Sequence, residues 1–477
     1  MKKQKKKKVE TEAPAPLHEP RADAAGIDIA ATENWVCVGA DRSQTPVRRF
    51  GAFTQDLKAI VQWLLECNIR TVAMESTGLY WIALYQLLAD AKIEVCLVNA
   101  RHVKNVPGRK TDVRDCQWLQ YLHSVGLLRA SFRPDQAICA LRSIYRYRQN
   151  LLTESGQHIQ HMHGALDQMN MKIQHVIDDV SGVTGQAIIE AILNGERDPR
   201  QLAKHRDPRI KASEETIVKS LEGDWRAEHL FVLRMAWENW RQVQQQVQKV
   251  DQELLDYAAQ LEASTVVARP IKIVRLNDDL AGPNPAPRPS QPPKKTRKQA
   301  RKKTSKNQPQ GPWTEELHRF FGVDLTAIPG ISVLTGITIM SELGNDLSAF
   351  QSAQHLSSWL CLCPDNDTSA SKVLRRATRQ SQNRLRYALR MAASTLHHDK
   401  SYLGDKYRRL RAKLGAPKAI TAMAHRLARI IWHLLTHRVP FDMSIFEAQE
   451  KAYQTRRFKS LYSAARHMGF QLVPLAA

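Results

Sequence analysis

Residues 24–127 repeat two hydrophobic periods in a fixed order, and that order restricts the fold more than any other feature of the chain. AAGIDIA, NWVCVGA and PVRRFGAF are three short apolar runs of strand type. TQDLKAIVQWLLECN opens on a threonine cap and then repeats apolar residues at helical spacing through Leu57, Ile60, Val61, Leu64 and Leu65. RTVAMEST reads as a buried strand, GLYWIALYQLLADA as a helix, KIEVCLVNA as a further strand and residues 112–127 as a helix. Three strands in a meander, then alternating helices and strands, predict a central sheet covered by helices.

The same segment places acids where apolar residues are the rule. Asp28 sits mid-strand between Ile27 and Ile29, where a carboxylate is costly unless it is paired or binds a cation. Glu75 ends the strand VAMEST. The element order is that of the ribonuclease H fold, in which these two strands are neighbours and their carboxylates approach. Asp112 and Asp115 follow in GRKTDVRD, three apart on one helix face, at a helix start whose dipole favours acids. Four converging carboxylates repel unless metal neutralises them, and hard oxygen donors suit Mg²⁺ or Mn²⁺. Two such ions side by side are one solution for phosphodiester cleavage. Taken singly, Asp112 and Asp115 also suit a cap or a surface position, and Glu75 a solvated strand end.

The 477 residues carry a net charge of +23, unevenly spread. Residues 1–8 hold six lysines and no acid, and residues 288–306 hold nine Lys or Arg and no acid. A third run, residues 372–390, has Lys372, Arg375, Arg376, Arg379, Arg384, Arg386 and Arg390 without an acid. Such segments favour polyanions through counterion release, so nucleic acid is the expected partner. A hydrophobic share of 43% excludes a wholly disordered chain, and the lack of any 18-residue apolar run excludes a membrane-spanning one. The lysine-rich start has no apolar signal region. Seven cysteines without a CxxC pair argue against a disulfide framework or zinc ribbon, so a reducing cytoplasm is expected.

Residues 1–22 read as a disordered tail and 23–150 as the α/β domain. Residues 151–277 read as a helical region, 278–312 as a Pro- and Lys-rich linker, 313–445 as a second globular domain and 446–477 as an extension. Residues 136–178 and 215–262 are the long helical stretches. The second has a seam through Leu233, Trp237, Trp240, Val243, Val247, Val250, Leu254, Tyr257 and Leu261, suited to packing inside one protomer or against another chain. LTAIPGISVLTGITIMSELG reads as helix, tight turn at Pro329-Gly330, helix, a hairpin able to offer amides to a phosphate. Residues 353–363, 380–398 and Ala419–His437 read as helices.

The order GIDIA, MESTG, GRKTDVRD resembles the DEDD insertion-sequence transposases of the IS one-ten group, with its IS eleven-eleven branch and the related Piv-type DNA invertases. IPGISVLTGITIMSELGN and WLCLCPDNDTSASKVLRRATRQSQNRLRYALRMAA are similar to the second domain of that family, so the resemblance covers residues 24–175 and 320–440. It implies a RuvC-like, ribonuclease H-like α/β domain, a long helical or coiled-coil middle, and a mostly α transposase domain with a helix-hairpin-helix-like element. It implies that Asp28, Glu75, Asp112 and Asp115 hold Mg²⁺ (or Mn²⁺). It also implies that a serine of DNDTSASK attacks DNA, leaving a covalent phosphoserine. Where the family reads Ser-Gly-Gly-Lys, this chain has Ser369, Ala370, Ser371 and Lys372, so Ser371 is a rival nucleophile. Donor and target DNA, a structured guide RNA and further copies of the chain (a dimer, a tetramer in synapsis) are the implied partners, in a bacterial cytoplasm at the nucleoid. The ester keeps the energy of the broken bond, so no ATP is needed, and no P-loop is visible.

Lys372, Arg375, Arg376, Arg379 and Arg386, on a helix after the serine, are read as phosphate contacts, and so are Arg109 and Lys110 ahead of Asp112. Trp118 and Tyr121 are read as core residues, and His433 and His437 as packing residues. Two other readings stay open: a metal-dependent structure-specific nuclease using water, like a junction resolvase, and a decayed protein that only binds nucleic acid.

Overall fold

A computed structural model describes residues 20–76, 78–99, 112–262, 307–369 and 372–470. The chain divides into two compact units, Met1–Arg133 and Pro134–Ala477.

The first unit contains β1 (Ala24–Ile29), β2 (Glu33–Cys37), β3 (Val47–Gly51), α1 (Thr54–Glu66), β4 (Thr71–Glu75), α2 (Trp81–Asp90), β5 (Glu94–Val98) and α3 (Asp112–Ser124). The expected order of elements is therefore present. The sheet runs β3-β2-β1-β4-β5. β1, β2 and β3 are antiparallel, whereas β1, β4 and β5 are parallel. Register places Ile27 opposite Met74, and the next step along the ladder brings Asp28 beside Glu75. The start of α1 differs in detail from the sequence reading. Phe53 is the cap position, and the Asp56 carboxylate accepts from its N–H at 3.0 Å.

Side chains alternate along each strand, so the sheet has two faces of different character. Ile27, Ile29, Val72 and Met74 join Leu57, Ile60, Leu64, Leu84 and Leu88 in one core. Ala73, Cys96 and Val98 pack on Leu119 of α3 on the other face. There Thr71 Oγ1 and His123 Nε2 stand 2.8 Å apart, both buried. Burial, with help from Arg21, holds the His123 pKa below its ordinary 6.5. The unfolded chain therefore takes up this proton first. Stability of this unit is complete above about pH 6.5 and falls as pH drops through that value toward the depressed pKa. Thermal melts from about pH 8 to about pH 5 should show this loss, and His123→Gln should flatten it.

The second unit contains α4 (Gln136–Gln168), α5 (Val183–Leu193), α6 (Pro199–Ala203), α7 (Glu214–Leu221), α8 (Ala227–Gln260), α9 (Trp313–Phe321), α10 (Val333–Leu343) and α11 (Ala353–Trp359). It continues with β6 (Pro364–Ser369), β7 (Lys372–Thr378), α12 (Arg384–Thr395), α13 (Tyr402–Leu414), α14 (Ala416–His437) and α15 (Ser444–His467). The seam of α8 packs on α4 of the same chain, with Leu151, Val243 and Val247 in one cluster. A buried ion pair, Arg148 with Asp251, crosses this helix pair. Arg142 and Arg146 fasten α4 to the end of α10 through Glu342, with Arg146 Nη2 3.0 Å from its carboxylate.

Several expectations change here. The limit expected at residue 150 falls inside α4, because its apolar positions run unbroken from Ile138 to Leu166. The helix expected over 136–178 stops at Gln168, where Asn170 adopts a left-handed φ of 58°. The stretch 215–262 is two helices, because Asp224 N–H donates to Met169 O at 2.8 Å and docks the intervening residues on the end of α4. Gly223 permits that approach, since a Cβ there would lie 2.4 Å from Met169 O. The helix before Pro329-Gly330 is a single 3-10 turn, Leu325–Ala327, while α10 starts at Ser332, whose side chain caps Thr335 N–H. Residues 372–378 form a strand, not a helix. Among the described residues no helix is long and apolar enough to cross a membrane.

Candidate functional site

Gly26 sets the position of α3. A Cβ on Gly26 would lie 2.3 Å from both Cys116 O and Gln120 N, so the helix backbone rests directly on β1. Gln120 Nε2 donates to Ala24 O at 3.3 Å, one step back along the strand. Gly26 therefore faces the backbone of α3 between Cys116 and Gln120. Two strand residues and four helical residues cover nearly the same length, about 6.6 Å against about 6 Å. Asp112 begins α3, one turn before Cys116, and on β4 His123 meets Thr71 while Leu119 packs with Ala73, so α3 runs back toward its start as β1 and β4 run toward Asp28 and Glu75.

The start of α3, which bears Asp112 and Asp115, thus lies toward the ends of the strands that bear Asp28 and Glu75. These are the carboxyl ends of parallel strands, where open α/β sheets bind ligands. Asp28, Glu75 and Asp115 are each half-buried. The Ser76 hydroxyl and N–H both donate to Val98 O, at 3.2 and 3.0 Å, and pin the end of β4 to β5. Sequence reading passed over Ser76, although it directly follows Glu75.

Beneath the carboxylates lies a buried thiol pair. Cys116 is held well above the ordinary thiol range, first by its hydrogen bond with Cys37, then by burial, with a smaller push from the Asp28 carboxylate. All seven cysteines are free thiols.

Hard carboxylate oxygens suit a divalent cation by their donor chemistry. Among the described residues, no three His, Cys, Asp or Glu side chains stand close enough to enclose one. The side chain of Asp112 lies outside the described part, as do Arg109 and Lys110 entirely.

Ser369 ends β6, and register pairs it with Lys372 at the start of β7. Ala370 and Ser371 make the connection and lie outside the described residues, as do the side chains of Ser369, Lys372, Arg375 and Arg376. Arg375 and Arg376 occupy β7 positions opposite Asp367 and Asn366. Arg379 is exposed and donates to the Ser358 hydroxyl at 3.0 Å. Arg386 is 8% exposed and donates to Ser381 O at 3.3 Å, so it braces the start of α12 rather than standing on an open helix face.

Between α4, α10 and α12 lies a cavity of about 680 Å³, lined by Tyr145, Gln149, Arg384, Arg390 and Tyr387 among others. Tyr121 is 53% exposed and stacks on half-buried Trp118 with ring centroids 5.7 Å apart, so this pair lies on the outside of α3 and not in the core. His437 is buried against His433, ring centroids 4.6 Å apart, as packing residues are.

Two family models match the chain. Residues 25–171 match the transposase model of the DEDD type of IS110, and residues 324–408 match that of the transposase IS116/IS110/IS902 family. No curated protein matches. The first match contains the strand edge with Asp28, Glu75 and α3, and the second contains the hairpin with Ser369. DNA is the substrate such a protein implies, and DEDD domains of this kind generally use divalent metal. With two models of one transposase family matched in chain order, the first running from β1 through α4 and the second spanning the serine hairpin, the chain belongs to the IS110 family of DEDD transposases.

Proposed function

We propose that this transposase exchanges DNA strands through a serine–phosphate ester, at a site that combines Ser369 with the four carboxylates and is directed by a structured guide RNA. What supports the reading is the pair of family matches, together with Asp28 and Glu75 on adjacent parallel strands and the seating of α3, which bears Asp112 and Asp115, against β1. A carboxylate quartet on a ribonuclease H-like sheet is suited to phosphodiester chemistry.

Asp28, Glu75, Asp112 and Asp115 would hold Mg²⁺ or Mn²⁺. Such a cation, when bound, supplies charge neutralisation at the scissile phosphate. Ser369 Oγ attacks phosphorus and gives up its proton. The bond from phosphorus to the leaving deoxyribose oxygen breaks, and that oxygen takes up a proton to become a free hydroxyl. Lys372, the register partner of Ser369, offsets the charge that builds on the phosphate. A hydroxyl from a second broken end then attacks the phosphoserine and returns the serine hydroxyl. One phosphoester is exchanged for another at each step, so no nucleotide is consumed. Arg375, Arg376 and Arg379 hold the flanking backbone, with Arg109 and Lys110 doing so near the carboxylates. Action on two broken ends calls for further copies of the chain.

Asp28→Asn tests the carboxylate half. Nicking of supercoiled DNA in Mg²⁺ should fall by about a hundredfold or more, with DNA and RNA binding retained. Undiminished nicking by the folded variant would remove Asp28 from the site. Nicking by the wild-type chain without any covalent adduct would favour the water-using nuclease.

A further inference from the structure

We propose that α13 and α14 form a clamp for the phosphodiester backbone of nucleic acid, at a site outside the carboxylate quartet and the serine hairpin. The proposal rests on the chain's acting on nucleic acid but not on the serine chemistry.

Residues 406–441 contain nine Lys or Arg and no Asp or Glu. The two helices lie side by side, joined at Gly415, whose φ of 79° allows the sharp reversal. Between them is a dent of about 150 Å³. It is lined by the cations Lys406, Arg426 and Arg429, by His425, and by the apolar Leu410 and Met423. The ring of Tyr402 holds two guanidinium groups in place, Arg409 at 5.8 Å and Arg426 at 5.6 Å. The nearest acid along the chain, Asp405, pairs with Arg408.

Cations gathered at a partly dry pocket favour an anion there. Burial lowers the pKa of Arg426 and of His425, and Arg429 adds to both shifts. Arg429 Nε is buried with no hydrogen-bond partner among the described residues. A buried donor of this kind costs stability unless something accepts from it. A phosphate oxygen would satisfy it and offset the crowded charge together.

Two features select a polyanion over a lone anion. Lys406, Arg409 and Lys413 recur at steps of three and four, so they share one helix face, and the dent continues into a row. Arg411, Lys413 and Lys418 at the far end are exposed. Evenly spaced single charges along a track match a sugar-phosphate chain.

The test uses the full chain with labelled duplex DNA and duplex RNA of unrelated sequences, titrated by anisotropy across a salt series. Lys406→Gln and Arg429→Gln should each reduce the slope of log affinity against log salt by about one, and the pair by about two, alike for every sequence. Arg429→Lys should recover most of the slope. Circular dichroism reports folding, and Lys406→Gln at the half-exposed rim keeps the test informative if Arg429→Gln fails to fold. A loss confined to DNA or to RNA identifies the strand that occupies the clamp. A folded double variant with unchanged slope on both polymers overturns the proposal. Failure of the serine reading would show separately, as a missing covalent adduct with the salt slopes of these variants still reduced.

Discussion

Ser369→Ala is expected to abolish the covalent protein–DNA species, by about a thousandfold or more, while DNA and RNA binding persist. A denaturing gel after incubation with Mg²⁺ and donor DNA resolves the adduct from free protein. The contrast is Ser371→Ala, which should retain it. The two serines are two residues apart, so composition cannot separate them. Ser369 occupies a paired strand position opposite Lys372, and the two variants together test whether it, rather than Ser371, is the nucleophile. Two-residue hairpin connections favour positive φ at both central residues, which glycine adopts freely. Ala370 and Ser371 stand where the resembled family has its two glycines, so a weakened adduct yield in the wild-type chain is consistent with the same chemistry. An adduct that survives in Ser369→Ala and disappears in Ser371→Ala transfers the role to Ser371.

Much of the first unit was legible because its elements have different periods and distinct ends. Asp28 stood out because it interrupts an apolar strand, and the order of the patterns fixed which strands are neighbours. The seating of α3 was not legible, since it depends on Gly26, whose significance is the atoms it leaves out. The β6–β7 hairpin was invisible for a different reason. PDNDTS and KVLRRAT have no alternation, and the second is rich in helix formers, yet each finds a ladder partner across the turn. Pairing of that kind is tertiary and overrides local preference. Arg386 was misread because its charge was counted without its place in the fold, where Asn383 caps α12 and turns Arg386 toward Ser381. The helix α13 escaped notice because few of its residues are buried, among them Leu403 and Tyr407, and its stripe is too thin to register as a period.

Gly26→Val should unseat α3 and remove strand cleavage without touching a carboxylate. The first added carbon would overlap Cys116 O and Gln120 N at 2.3 Å, and both are backbone atoms that no rotamer change can move aside. The helix must retreat as a body. Overpacking of this severity costs about 3 kcal/mol or more and should lower the melting temperature by about 10 °C. Retreat also carries α3, with Asp112 and Asp115 at its start, away from β1 and Asp28. Cleavage should therefore fall even in the cold, where the variant is still folded, while binding of nucleic acid continues. Gly156→Ala is the matched contrast: it lies inside α4 with nothing within 4 Å of the added carbon, and it should melt slightly higher and cut normally. Gly26→Val with a wild-type melt and wild-type cleavage would mean that α3 does not rest on β1, and the geometric case for a carboxylate site would fall with it.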